Sequence, residues 1–323
     1  MLSLLAAPNY TALWWSLGGV AVAGLLFAFV FCLVASHQIY IRTLRRGGNN
    51  DWTRGHASLS DAESLGMYNG GMAWREQNLA AKRDVHIVNQ GLNLYGEYYD
   101  FGHERCVIIL PGRSENSEYC CYFARPYEAI GFNVLVIDPR AHGFSDGIYN
   151  TVGFDESSDA LAWAKYIHDT YHIKQIVFHG ICIGSATAMY VLTSKDCPDY
   201  IAGMTGEGMF VNFGESVKQH LIERKKPLFP VLALVNMWMK HFTGHSMKKG
   251  PLDVIDKMNK PLLMLHSKED RYSLPALAQK LYDRAPTEQK ELVWFEHGAH
   301  SMIRINNTAQ YDEAIRQFVE KYY

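Results

Sequence analysis

The chain has 323 residues, just under half of them apolar, which is ample material for one large core. A formal net charge of −2 supplies no basic footprint, so nucleic acid is excluded as a partner class. The six cysteines form no Cys-x-x-Cys pair and no Cys/His spacing suited to zinc, which excludes a disulfide framework and a structural metal, and no cofactor is expected.

Residues 12–35 are almost wholly apolar and uncharged, about 24 residues where about 20 suffice to cross a bilayer as a helix. A single-pass transmembrane anchor is expected. A cleaved signal peptide should open with basic residues, yet no Lys or Arg precedes the run. Trp14 and Trp15 at one edge and Tyr40 past the other suit the membrane interfaces. Arg42, Arg45 and Arg46 follow, so the positive-inside rule places the rest of the chain on the cytoplasmic side. Residues 1–46 are taken as the anchor. Residues 47–84 are a tether and lead-in, rich in Gly, Asn, Ser, Asp and Thr up to 62, and residues 85–323 are the folded domain. A chain starting near Asp51 is therefore expected to be soluble.

In the folded part, short apolar runs alternate with longer amphipathic ones, the pattern of an α/β fold with a mostly parallel sheet and helices on both faces. Residues 86–89 and 94–99 flank a Gln-Gly turn and predict an antiparallel hairpin. Runs at 106–110, 133–137, 175–178, 262–265 and 292–295 predict strands buried on both faces. Helices are predicted over 118–130, 154–171, 185–194, 274–284 and 311–322. Residues 209–256 break the alternation with a long helical stretch that contains Pro227 and Pro230, and are expected to form a helical cap.

The run His179-Gly180-Ile181-Cys182-Ile183-Gly184-Ser185 follows a predicted strand and opens a helix. Its form, Gly-x-nucleophile-x-Gly, is that of a sharp strand-to-helix turn, with Cys182 at the exposed apex and a helix amino terminus beneath it to favour a thiolate. A small buried cysteine in a Gly-rich turn is the bland alternative. Downstream, Asp270 lies just past the 262–265 strand and His300 just past the 292–295 strand, giving the order nucleophile, acid, histidine. Glu269 and His297 are the competitors for those two roles.

On these motifs the chain, from about 85 to 323, resembles the α/β-hydrolase superfamily, and in particular its monoglyceride-lipase and serine-aminopeptidase-like branch. Two more motifs carry the resemblance: Leu110-Pro111-Gly112-Arg113-Ser114-Glu115-Asn116-Ser117 is similar to that branch's oxyanion loop, and Asp138-Pro139-Arg140-Ala141-His142-Gly143-Phe144-Ser145-Asp146-Gly147 to its second loop. The departures are Pro111 for His, Ala141 for Gly and Cys182 for Ser. The resemblance implies an α/β-hydrolase fold, a triad of Cys182, His300 and Asp270, and oxyanion donors in the backbone N–H groups of Ile183 and Arg113. His142 and Ser145 are taken as structural.

A cysteine triad implies a thioester acyl-enzyme. Thiolate leaves a tetrahedral intermediate more readily than alkoxide, so activated carbonyls are favoured: thioesters, aryl or enol esters, lactones. The anchor and the apolar cap residues Phe229, Leu232, Leu234, Val235, Met237 and Met239 point to a lipophilic acyl substrate. An acyltransferase, or a binding protein that has lost activity, are the alternatives.

Overall fold

The computed structural model describes residues 10–47 and 61–323. In chain order its elements are α1 (Thr11–Leu44), α2 (Ala62–Gln77), β1 (Lys82–Asn89), β2 (Leu92–Tyr99), β3 (Arg105–Leu110), α3 (Ser117–Cys120), α4 (Arg125–Glu128), β4 (Asn133–Ile137), α5 (Phe154–Tyr171), β5 (Gln175–Ile181) and α6 (Ile183–Leu192). There follow β6 (Ile201–Glu207), α7 (Phe213–Glu223), α8 (Val231–Thr243), β7 (Leu262–Ser267), α9 (Pro275–Arg284), β8 (Lys290–Phe295), α10 (Ile303–Asn306) and α11 (Thr308–Tyr322).

The eight strands form one sheet in the order β1-β2-β4-β3-β5-β6-β7-β8. β2 runs antiparallel to both its neighbours and every other pairing is parallel. In β3, Cys106, Ile108 and Leu110 enter one apolar layer and Val107 and Ile109 the other. That alternation, with both faces buried, explains why the central strands read as unbroken apolar runs. The first layer also takes Ala160, Trp163, Ala164 and Ile167 of α5, the stripe expected from their helical spacing. The second takes Met67 and Trp74 of α2 and, from near the chain's end, Tyr311 and Ile315 of α11.

Three expectations need correction. The helix predicted over 118–130 is broken into α3, a 3₁₀ turn at Cys121–Phe123 and α4, with Pro126 in the first turn of α4, where a missing N–H costs nothing. β6 was not predicted: Ile201–Glu207 carries Gly203 and Gly206 and no apolar run. Within the lead-in, α2 is a helix packed on the sheet, with Trp74 Nε1 donating to Glu128 at 2.6 Å and Arg75 paired with buried Glu97 at 2.9 Å. Most of the expected tether lies outside the described residues.

α1 is uncharged and solvent-exposed over its first two thirds and is long and apolar enough to cross a membrane. Its last turns are different. Ser36, Tyr40 and Leu44 are fully buried, and Ser36 Oγ accepts a hydrogen bond from Trp238 Nε1 of α8 at 3.1 Å. Phe242 of α8 stacks on Tyr40 at 5.4 Å between ring centres. Beyond the helix, Arg46 donates to the carbonyls of Ser145 and Gly143, each at 2.6 Å. One of the three arginines used for the positive-inside argument is thus occupied in holding a loop.

Candidate active site

β5 ends at Ile181 and α6 begins at Ile183, so Cys182 alone makes the turn, at φ 51° and ψ −106°. A non-glycine residue takes that backbone only where the surroundings enforce it. The two glycines are the enforcement. A Cβ on Gly184 would lie 1.9 Å from the Leu110 carbonyl oxygen, and one on Gly180 would lie 2.4 Å from Ser185 N. The elbow is also tied sideways, since Cys182 N and Ser185 Oγ both donate to the Glu207 carbonyl, at 2.9 and 3.0 Å.

Asp270 and His300 arrive from the ends of β7 and β8. The buried Asp270 accepts at Oδ1 from the N–H groups of Tyr272 (2.9 Å) and Ser273 (2.8 Å), which leaves Oδ2 for His300 Nδ1–H at 2.8 Å. With Nδ1 so occupied, only the other ring nitrogen is left for Cys182, which lies near enough for its charge to act on the imidazole. Burial alone would lower the His300 imidazole, but the charges of Cys182 and Asp270 outweigh it and hold it well above its ordinary value. Burial likewise pushes the Asp270 carboxyl up, and His300 and His266 pull it back below the usual carboxylate value. Gly208, at φ 59° just past β6, makes room: its Cβ would fall 3.2 Å from His300 Cε1.

The competitors find each other instead. Glu269 faces His297 at 3.5 Å on the surface, with 77% of the His297 side chain exposed, and Glu269 also accepts from Gly298 N. Neither is brought to Cys182.

In the oxyanion loop, Gly112 N donates to Glu115 Oε2 at 2.8 Å and Ser114 N to His142 Nε2 at 3.2 Å. No hydrogen bond from Arg113 N or Ile183 N to a protein acceptor occurs among the described residues. His142 donates from Nδ1 to the Arg140 carbonyl at 2.9 Å, and burial, with Arg46 and Arg113 nearby, lowers it to about 4, so it stays neutral and accepts from Ser114. Ser145 Oγ bonds the Asp138 carbonyl at 2.6 Å. Both residues support the loop. Ala141, where the family motif has Gly, sits at φ 66°, a left-handed conformation costing an alanine about 1 kcal/mol.

The sequence reading assigns no role to two buried neighbours of the elbow. Glu207, fully buried beneath the elbow, accepts from Tyr311 O–H at 2.6 Å, and burial raises it to about 7. His179, also buried, lies between the hydroxyls of Tyr127 (2.9 Å) and Tyr311 (3.2 Å), and burial lowers it to about 3. Above the site, Tyr272 stacks on His220 of α7 at 3.8 Å and meets His300 edge-on at 5.8 Å, which docks the cap beside the acid loop. Of the apolar cap residues, Val235 and Met239 join a buried cluster that reaches Cys182, whereas Phe229 and Met237 face outward, 85% and 40% exposed. Those two do not line a pocket. No grouping of metal-ligating side chains occurs among the described residues.

The family model described as alpha/beta hydrolase fold matches residues 105–225, and that described as serine aminopeptidase, S33, matches residues 243–306. The chain is 30% identical to the Bacillus subtilis protein YqkD over 219 residues, 66% of this chain and 70% of that protein. It is 23% identical over 194 residues to YNL320W of Saccharomyces cerevisiae, named as a membrane protein, covering 60% of this chain and 62% of that one. Among solved structures, an esterase of Pyrococcus furiosus superposes with TM-score 0.64 at 22% identity, over 77% of this chain and 95% of that one. The α/β hydrolase GrgF of Penicillium superposes with TM-score 0.59 at 15% identity, over 75% and 98%. At such identities these two likenesses concern the fold. The sheet order and the two matched family models agree: the chain belongs to the α/β-hydrolase superfamily and is a hydrolase.

Proposed function

We propose that this hydrolase cleaves an activated acyl bond, in a thioester, an aryl or enol ester or a lactone of lipophilic character, through Cys182, His300 and Asp270. The observation that carries the proposal is His300, held by Asp270 at 2.8 Å and near enough to Cys182 to feel its charge, with the half-buried cysteine at a helix amino terminus. Cys182 attacks the carbonyl as thiolate, and the amides of Ile183 and Arg113 receive the oxyanion. Protonated His300 gives its proton to the departing group, and a thioester on Cys182 remains. Water then attacks that thioester as His300 takes its proton; the carbonyl–sulfur bond breaks, the acid departs and thiolate is restored.

The likeness to an esterase fold supports an ester-type carbonyl, and the uncharged span of α1 supports a single-pass anchor that keeps the enzyme beside lipophilic substrates. Arg42 and Arg45 favour a cytoplasmic catalytic domain.

The test is mass spectrometry of the full-length protein after brief exposure to acyl thioesters, aryl esters and lactones. An acyl adduct on Cys182 that decays as free acid appears is the expected result. Turnover without any adduct, persisting in Cys182→Ala, would remove the cysteine from the mechanism.

A further inference from the structure

α1 and α8 run side by side in the same direction. Trp238 meets Ser36 and His37, and one turn later Phe242 meets His37 and Tyr40. Going back along α8 from Trp238 to its first residue, Val231, covers seven residues, or about 10 Å at 1.5 Å per residue. The same distance back along α1 reaches the level of Val30. From Thr11 to Val30 is about 20 residues, one hydrocarbon thickness. The start of α8 is therefore level with the edge of the bilayer core, and the α7–α8 loop, residues 224–230, lies at or beyond that level.

That loop has the composition such a position requires. Phe229 is 85% exposed, and Leu228 and, at the end of α7, Ile222 are exposed as well. Arg224, Lys225 and Lys226 are exposed beside them, while Glu223 is engaged by the Tyr272 hydroxyl at 2.6 Å. Exposed aromatic and aliphatic side chains next to cations describe an interfacial lipid-binding surface with a preference for anionic headgroups.

We propose that the α7–α8 loop is a second membrane contact, with Leu228 and Phe229 seated at the acyl boundary and Arg224, Lys225 and Lys226 among anionic headgroups. This rests on the reading of α1 as a membrane span. With both contacts made, the cap over Cys182 is held against the bilayer, and the apolar cluster of Val231, Val235 and Met239 that reaches Cys182 begins at the lipid surface.

The test places a photoreactive benzophenone amino acid at position 229 of the full-length protein, and in separate preparations at Leu25 of α1 and at the exposed Gln317 of α11. Each is reconstituted in vesicles of phosphatidylcholine with a minority of phosphatidylglycerol, and lipid adducts are read by mass spectrometry after illumination. Adducts at 25 and 229, with none at 317, are expected. Adducts at 25 but not at 229 overturn the proposal and leave the anchor standing. Absence of adducts at 25 overturns the anchor and the proposal together. Because Phe229 is so exposed, its replacement leaves the core intact, and in the vesicles with phosphatidylglycerol Lys225→Glu with Lys226→Glu should lower the adduct yield at 229 several-fold; an unchanged yield overturns the headgroup assignment.

Discussion

Among the six thiols, Cys182 has a setting of its own. Cys106, Cys120 and Cys121 are buried, and burial raises the thiols of Cys106, Cys120 and Cys197. Only Cys182 stands at a helix amino terminus beside a histidine that is itself held by a buried carboxylate. Iodoacetamide near neutral pH should label Cys182 roughly tenfold or more ahead of those four, and His300→Ala should slow it. In turnover, His300→Ala and Asp270→Asn should each cost about 10³-fold or more, while Glu269→Gln and His297→Ala should stay within about threefold of the parent. The opposite pattern would hand the roles to the surface pair. The positions of Cys182, Asp270 and His300 past the ends of their strands are legible because each follows a strand whose apolar run is plain in the sequence. Glu115 was not, because its bond to Gly112 N depends on the loop's own shape.

At the scale of elements, β6 shows where pattern reading runs out. Gly203 admits the Tyr323 hydroxyl and the Pro261 carbonyl, both distant in sequence, and Gly206 admits the nearby Met209, so close packing demanded residues that dilute the strand's signature. With β6 unseen, Glu207 at its end was unseen too. The consequence is measurable. A carboxyl raised on folding from 4.5 to about 7 gives its full stability below the unfolded value and loses it as pH climbs through about 7. Ionising Glu207 in the folded state should thus cost roughly 3 kcal/mol by pH 8. Glu207→Gln should gain up to that amount relative to the parent between pH 5 and pH 8, read by urea unfolding in detergent. A pH-independent difference would mean that Glu207 does not titrate in this range. The helix predicted over 118–130 failed for a simpler reason, since a Pro that is harmless in a first turn forces a new first turn to exist.

Taken whole, the molecule does not divide where its composition divides. The sequence suggested an anchor, a tether and a free domain, and a chain beginning at Asp51 was expected to be soluble. The packed last turns of α1 predict a different outcome for that chain. Without Ser36, Tyr40 and Leu44, the faces of Trp238 and Phe242 are uncovered, and without Arg46 the Gly143 and Ser145 carbonyls lose their donor. A chain beginning at Asp51 should therefore aggregate or melt well below one beginning at Val34, which keeps the packed turns and sheds most of the apolar span. Equal melting temperatures in the same detergent would show that the packed turns contribute nothing. The contact between Ser36 and Trp238 joins residues 202 apart, and this separation also orders events in time. Synthesis runs from the amino terminus, so α1 has been in place for most of the chain's manufacture before α8 exists to meet it. α8 therefore docks onto a helix made long before it.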